Sequence, residues 1–186
     1  EIYAQIDKPP ELIAKYLAQN DENIAQKIVQ RKKNILLDYE NIVVPTFPGV
    51  WESFRFLQDH KIPFAIGSNA PKAFIINALQ SLRLVVPVVC GREDVQNAKP
   101  DPEIFILCAQ KLAINPCDYN KVLVFEDSTH GIMAAKKASM IPIGISTRHT
   151  IKELQDAGAV IVCAHLRDAY DQKLFKNLSL ENRMLS

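Results

Sequence analysis

Over the first forty positions apolar residues recur every three or four places among polar ones, the pattern of surface helices. Ile13, Tyr16 and Leu17 share this spacing, and Ile24, Ile28 and Arg31 continue it in a second predicted helix. Pro9-Pro10 can open the first near Glu11, and Arg31-Lys32-Lys33 reads as a solvated helix face. After Pro45-Thr46-Phe47-Pro48-Gly49 the texture changes, and short apolar runs alternate with helical patterns. Val50, Phe54 and Leu57 lie on one helical face, and Phe64-Ala65-Ile66 is a short strand. A helix opens at Pro71, with Ile75, Leu79 and Leu82 inward. Val88-Val89-Cys90 is a strand, and Ile104, Cys108 and Leu112 mark a helix. Val122 to Phe125 is a continuous apolar strand, followed by a helix from Gly131 carrying Ile132, Ala135 and Ala138 or Ser139. Ile141 to Ile145 and Ala159 to Cys163 are strands around a helix opened by the capping box Thr150-Ile151-Lys152-Glu153.

Strands apolar on both faces and separated by helices predict an α/β fold, a parallel sheet covered on both sides. Ligands of such sheets bind at the carboxyl ends of the strands. The positions of interest are therefore Ser68-Asn69, the stretch from Gly91 to Lys99, and Glu126-Asp127-Ser128.

Composition narrows the class. The 186 residues are 48% hydrophobic and 23% charged with a net charge of +1, as in ordinary globular domains. That balance provides no electrostatic footprint for nucleic acid or an anionic membrane surface, and no apolar run reaches the roughly 20 residues of a bilayer span. The polar opening Glu1-Ile2-Tyr3-Ala4-Gln5 lacks the basic and apolar regions of a secretory leader. Cys90, Cys108, Cys117 and Cys163 form no CxxC pair and read as reduced thiols. A cytoplasmic, monomeric protein is the expectation.

Two adjacent carboxylates end the apolar run Val122–Phe125. A buried strand does not terminate in two anions for packing reasons, and hard cations such as magnesium take oxygen ligands of this kind. Solvated loop acids are the equal alternative for the pair taken alone. Ser128 and Thr129 can cap the following helix or orient a carboxylate, and His130 shares the loop. In Lys99-Pro100-Asp101-Pro102 the prolines fix the backbone ahead of a helix, so Lys99 is either a held cation or a surface lysine. Ser68-Asn69 closes a strand before a helix, where a hydroxyl and backbone N–H groups can cradle phosphate or merely cap.

The order of these three signals resembles motifs two, three and four of the haloacid dehalogenase (HAD) superfamily. The resemblance runs over residues 45–165 and is carried by Phe47-Pro48-Gly49-Val50, Ala65-Ile66-Gly67-Ser68-Asn69-Ala70, Ala98-Lys99-Pro100-Asp101-Pro102-Glu103-Ile104-Phe105 and Val124 to Ile132. It is nearest the capped branch of sugar-phosphate phosphatases, phosphoglycolate phosphatases and beta-phosphoglucomutases. The resemblance implies a three-layer, Rossmann-like core over residues 46–166, a partial helical cap in 1–45 and a helical tail in 167–186. It implies magnesium held by Asp127 and Glu126. Lys99 would pair with nucleophile and phosphate, Ser68 and Asn69 would bind phosphate oxygens, and the substrate would be a small phosphorylated metabolite. A sugar phosphomutase and a non-catalytic relative are the alternatives. The dehalogenase branch lacks this acidic pair, and a phosphoacceptor receiver module has its acids first and its lysine last.

The family's first motif, a strand ending in an Asp-x-Asp nucleophile and acid–base pair, has no counterpart in the 186 residues. Leu37-Asp38-Tyr39-Glu40 is the nearest imitation, and it reads as part of the cap-to-core connection. The expectation is a fragment of a longer chain, short of a strand, a loop and a first cap helix, roughly 30–50 residues by ordinary element lengths, and inactive as it stands. Sequencing the gene upstream of Glu1 checks this. An in-frame start just before Glu1 with no Asp-x-Asp upstream would overturn it.

Overall fold

The computed structural model describes residues 10–37, 45–171 and 174. Two helices, α1 (Pro10–Leu17) and α2 (Glu22–Leu37), form a helical hairpin. Both predicted helices are present, but the buried face differs from the predicted one. Ala14, Ala18 and Ala25 are buried, with Ile28 and Val29 against them, whereas Tyr16, Leu17 and Ile24 face solvent. Alanine has no side-chain bulk, so it lets two short helices approach closely where larger residues would hold them apart. An exposed ion pair, Lys15 Nζ to Glu22 Oε1 at 2.6 Å, spans the turn.

The remainder alternates strand and helix: α3 (Val50–Asp59), β1 (Ala65–Gly67), α4 (Lys72–Ser81), β2 (Val88–Cys90), α5 (Glu103–Lys111), β3 (Leu123–Glu126), α6 (Thr129–Lys137), β4 (Ile141–Ile145), α7 (Ile151–Ala157), β5 (Ile161–Cys163) and α8 (Leu166–Asp171). All pairing among the described residues is parallel, as predicted. It falls into two sheets, however, β1-β2 and β3-β4-β5, rather than one.

Helices cover both faces. One apolar cluster joins Ile104, Phe105, Cys108 and Ala109 of α5 and Ala134 and Ala135 of α6 to Cys90 and Val124, so it spans both sheets. The other joins Phe56 of α3 and Ala169 of α8 to Ile145 and Cys163, with Leu174 packed beside them. Phe175 and Leu178 of the predicted tail, and Asp38, lie outside the described residues.

Local chemistry fixes the element ends. Thr150 Oγ1 accepts from the Glu153 N–H and the Glu153 carboxylate accepts from the Thr150 N–H, the capping box read from the sequence. α6 begins at Thr129, two residues before the predicted Gly131, with Ser128, one of the two caps read from the sequence, as its N-cap. Gly49 sits at φ +90°, and a β-carbon there would strike the backbone of Arg167. The Arg167 N–H also donates to Pro48 O at 3.0 Å, so this close approach stitches α3 to α8.

Leu154 is fully buried in α7 and lies against Gly144 of β4. Leu154→Ala should destabilise the fold by about 2–5 kcal/mol in denaturant unfolding. Val160→Ala, at a position 68% exposed, should stay within roughly 0.5 kcal/mol of the parent.

Candidate active site

The carboxyl ends of β1 and β3 meet at Lys99. This lysine is 7% exposed, which requires its charge to be matched. Its ammonium donates to Gly67 O at 3.0 Å, forms an ion pair with Glu126 Oε1 and lies 4.5 Å from the centre of the Phe105 ring. The Lys99 N–H donates to Asn69 Oδ1 at 3.2 Å. The strand ends and the Lys99 loop are thus one constellation. Three of the five site residues expected from sequence, Asn69, Lys99 and Glu126, are in direct contact within it, and Asp127 is one residue on. Ser68 flanks it. Its Oγ accepts from the Ala70 N–H at 3.1 Å, and its N–H donates to Cys90 O. The surface-lysine alternative for Lys99 is excluded by its burial.

The loop carrying Lys99 is held by Glu103 at the start of α5. The Glu103 carboxylate accepts from the N–H groups of Gln96 at 2.9 Å and Asn97 at 2.8 Å, and these bonds hold its pKa below the usual range. Asp94 ties the preceding turn down in the same way, accepting from the Gly91 N–H and pairing with Lys72.

Glu126 is the last residue of β3 rather than a loop residue. Its Oε1 faces Lys99 and its Oε2 accepts from Ser128 Oγ at 3.1 Å, while Ser128 Oγ accepts from the Gly131 N–H at 3.0 Å. A β-carbon at Gly131 would collide with the Glu126 carboxylate, so a larger residue there would have to displace it from its present partners. The sequence expectation that Ser128 caps a helix or orients a carboxylate is met on both counts.

Asp127 differs from its neighbour. Burial, and then the charge of Glu126, push its carboxyl pKa up, while Arg148 and Lys99 act in the opposite direction. Arg148, in the loop after β4, did not stand out in the sequence. The strand-end rule that picked out the other loops applies equally to this one. Among the described residues no group of three or more His, Cys, Asp or Glu side chains converges as a metal-binding cluster. The donor set at β3 is instead two carboxylates, which suits magnesium when phosphate and water complete its oxygen shell.

A model of the haloacid dehalogenase-like hydrolases matches residues 1–145. The chain belongs to this family. It is 33% identical over 144 residues to a phosphorylated carbohydrates phosphatase of Thermotoga maritima, covering 75% of this chain and 63% of that protein. It is 32% identical over 112 residues to phosphoglycolate phosphatase of Escherichia coli, covering 59% and 43%. The chain thus spans less than two thirds of the length of these curated relatives. The fold matches the crystal structure of a beta-phosphoglucomutase from Clostridium difficile with a TM-score of 0.73 at 20% identity, over 98% of this chain and 82% of that one.

The Lys99–Glu126 pair is buried on both sides, with side chains 8% and 10% exposed. Lys99→Met leaves an uncompensated carboxylate and should cost about 3–5 kcal/mol. The double variant Lys99→Met/Glu126→Gln should recover much of that loss in chemical denaturation. Equal losses in the single and double variants would show that the pair is not coupled.

Proposed function

We propose that the intact protein is a magnesium-dependent phosphomonoester hydrolase acting on a small phosphorylated metabolite through an aspartyl-phosphate. The observation that carries this reading is a buried cation, Lys99, held between two strand ends beside a desolvated carboxylate, Asp127, in a chain of the haloacid dehalogenase-like family. The phosphatase relatives support the reaction class.

In this reading each group has a separate task. Asp127 holds magnesium, with Glu126 as second carboxylate; each Glu126 oxygen keeps a lone pair beyond its bond to Lys99 or Ser128. When bound, magnesium supplies charge compensation for the transferring phosphoryl group. The Lys99 ammonium offsets the crowding of carboxylate and phosphate charge, and its three existing partners fix its position before substrate arrives. Ser68 Oγ and the N–H groups leading into α4 bind phosphate oxygens, and Asn69 positions the Lys99 backbone. The covalent step needs an Asp-x-Asp pair, a sequence that the 186 residues do not contain, so residues 10–171 bind and balance charge. The domain division of the intact protein follows the same proposal, with residues 1–45 as part of a cap and 46–166 as core.

Titration calorimetry with magnesium and inorganic phosphate tests the assignment. The parent should bind magnesium, and Asp127→Asn and Lys99→Ala should weaken magnesium and phosphate binding respectively by at least about tenfold, the scale of one lost charged contact. Unchanged affinities would sink the roles given to both residues. The 186 residues should not turn over p-nitrophenyl phosphate; hydrolysis abolished by Asp38→Asn would assign the nucleophile to Asp38 instead.

The raised Asp127 pKa gives a signed pH effect. Between its ordinary value of 3.8 and its higher folded value the native state binds the extra proton, so metal-free stability falls as pH rises through that window. Asp127→Asn should remove this component. Without metal at neutral pH the variant should melt at or above the parent's temperature, and unlike the parent it should gain little from magnesium.

A further inference from the structure

The groups assigned to phosphate sit on two loops. Residues 68–71, after β1, carry Ser68 and Asn69, and residues 95–102, beyond β2, carry Lys99. Neither stretch is helix or strand. Side chains on such loops are held less precisely than those on helices or strands unless further bonds fix the backbone beneath them.

Arg92 touches both loops. It opens the single helical turn Arg92–Asp94 that follows β2. Its backbone N–H donates to Ala70 O at 2.9 Å. Its guanidinium donates from Nη1 to Val95 O at 2.9 Å and from Nη2 to Gln96 O at 3.3 Å. The Glu103 carboxylate takes the N–H groups of Gln96 and Asn97, so a cation grips the carbonyls of this stretch and an anion grips its amides. Hydrogen bonds with one charged partner are stronger than neutral ones. The planar guanidinium offers its donors in fixed geometry to two successive carbonyls, whereas a lysine offers a point charge on a flexible stem. The turn also has no slack against the first loop. Glu93 Oε2 accepts from the Lys72 N–H at 2.9 Å, and a β-carbon on Gly91 would lie 2.6 Å from the Lys72 nitrogen. The two loops meet again where the Lys99 N–H donates to Asn69 Oδ1. Arg92 therefore closes a ring that runs through Gln96, Lys99, Asn69 and Ala70.

We propose that Arg92 is a positioning residue for phosphate, setting the separation between Ser68 and the Lys99 ammonium without touching the ligand. The inference rests on the reading that Ser68 and Lys99 bind phosphate oxygens. Gly67 O and Glu126 hold the lysine at its tip, and Arg92 holds the stretch of chain from which that side chain starts. A phosphate meets both donors at once only when the two loops keep one spacing, and small displacements of positioned groups are costly. Without the guanidinium fork the ring is open and the spacing varies.

Calorimetry on the whole 186-residue chain, with inorganic phosphate and magnesium titrated separately, compares the parent with Arg92→Met, Arg92→Lys, Lys99→Ala and the double variant Arg92→Met/Lys99→Ala. Arg92→Met keeps the backbone bond to Ala70 and removes both bonds of the fork. Its phosphate affinity should fall at least about fivefold, the scale of one lost hydrogen bond, while its magnesium affinity stays that of the parent. Arg92→Lys should fall between the two. Arg92→Met should add nothing to the loss caused by Lys99→Ala, because it acts through that lysine. Amide exchange at Lys99 should quicken in Arg92→Met, while exchange at the buried Leu154 stays slow and shows the core intact. Parent-like phosphate affinity in Arg92→Met would overturn the inference. So would equal losses for magnesium and phosphate, or additive losses in the double variant, which mark a general loosening. If Lys99→Ala weakens phosphate binding and Arg92→Met does not, the role of Lys99 stands and that of Arg92 falls. If Lys99→Ala leaves phosphate affinity unchanged, both fall.

Discussion

The ion pair between Lys99 and Glu126 is the constraint on which the arrangement of strand ends depends. Neither group is stable in the interior without the other, since a buried charge left alone costs several kcal/mol. Placing them together fixes the end of β3, the loop before α5 and, through Gly67 O, the end of β1. Satisfying one charge in this way determines where three segments, far apart in sequence, must meet.

The surrounding hydrogen bonds follow from that placement. Glu103 holds the loop so that Lys99 is presented without searching, and Ser128 serves at once as helix cap and as second partner of Glu126. At Gly131 the start of α6 lies directly against the Glu126 carboxylate. For Asp127, one residue on, desolvation and repulsion by Glu126 outweigh the attraction of Arg148 and Lys99. They leave a carboxyl that a divalent cation would relieve. One acid of the dipeptide is thus paired within the fold, and the next is left poorly matched.

Much of this was legible in the sequence. Continuous apolar runs separated by helical periods pointed to the parallel α/β class, and the strand-end rule located Ser68, Asn69, Lys99, Glu126 and Asp127. The family is confirmed by the match over residues 1–145. What periodicity missed has physical causes. In α1 and α2 the buried face is alanine, which carries little weight in a search for large apolar residues, so Tyr16, Leu17 and Ile24 drew the eye although they are exposed. The start of α6 at Thr129 rather than Gly131 was missed, although its cap, Ser128, was read from the sequence. The division into two sheets could not be read from periodicity, because strand patterns report faces, not edges; nothing in Phe64–Gly67 or Val122–Glu126 states which neighbour lies alongside. Arg148 acts on Asp127 through space, a relation that no local pattern encodes.

The contrast between the two kinds of ion pair reaches into solution behaviour. Lys15–Glu22 in the helical hairpin, like Arg55–Asp59 and Lys121–Asp118, stands in water. Counterions at physiological ionic strength screen such pairs over a Debye length of about 8 Å, whereas Lys99 and Glu126 are sheltered from them. Added salt therefore acts on this molecule unevenly: it loosens the electrostatic tie within the hairpin while leaving the charge balance at the strand ends intact. Ionic strength becomes a means of adjusting one part of the molecule without disturbing the other.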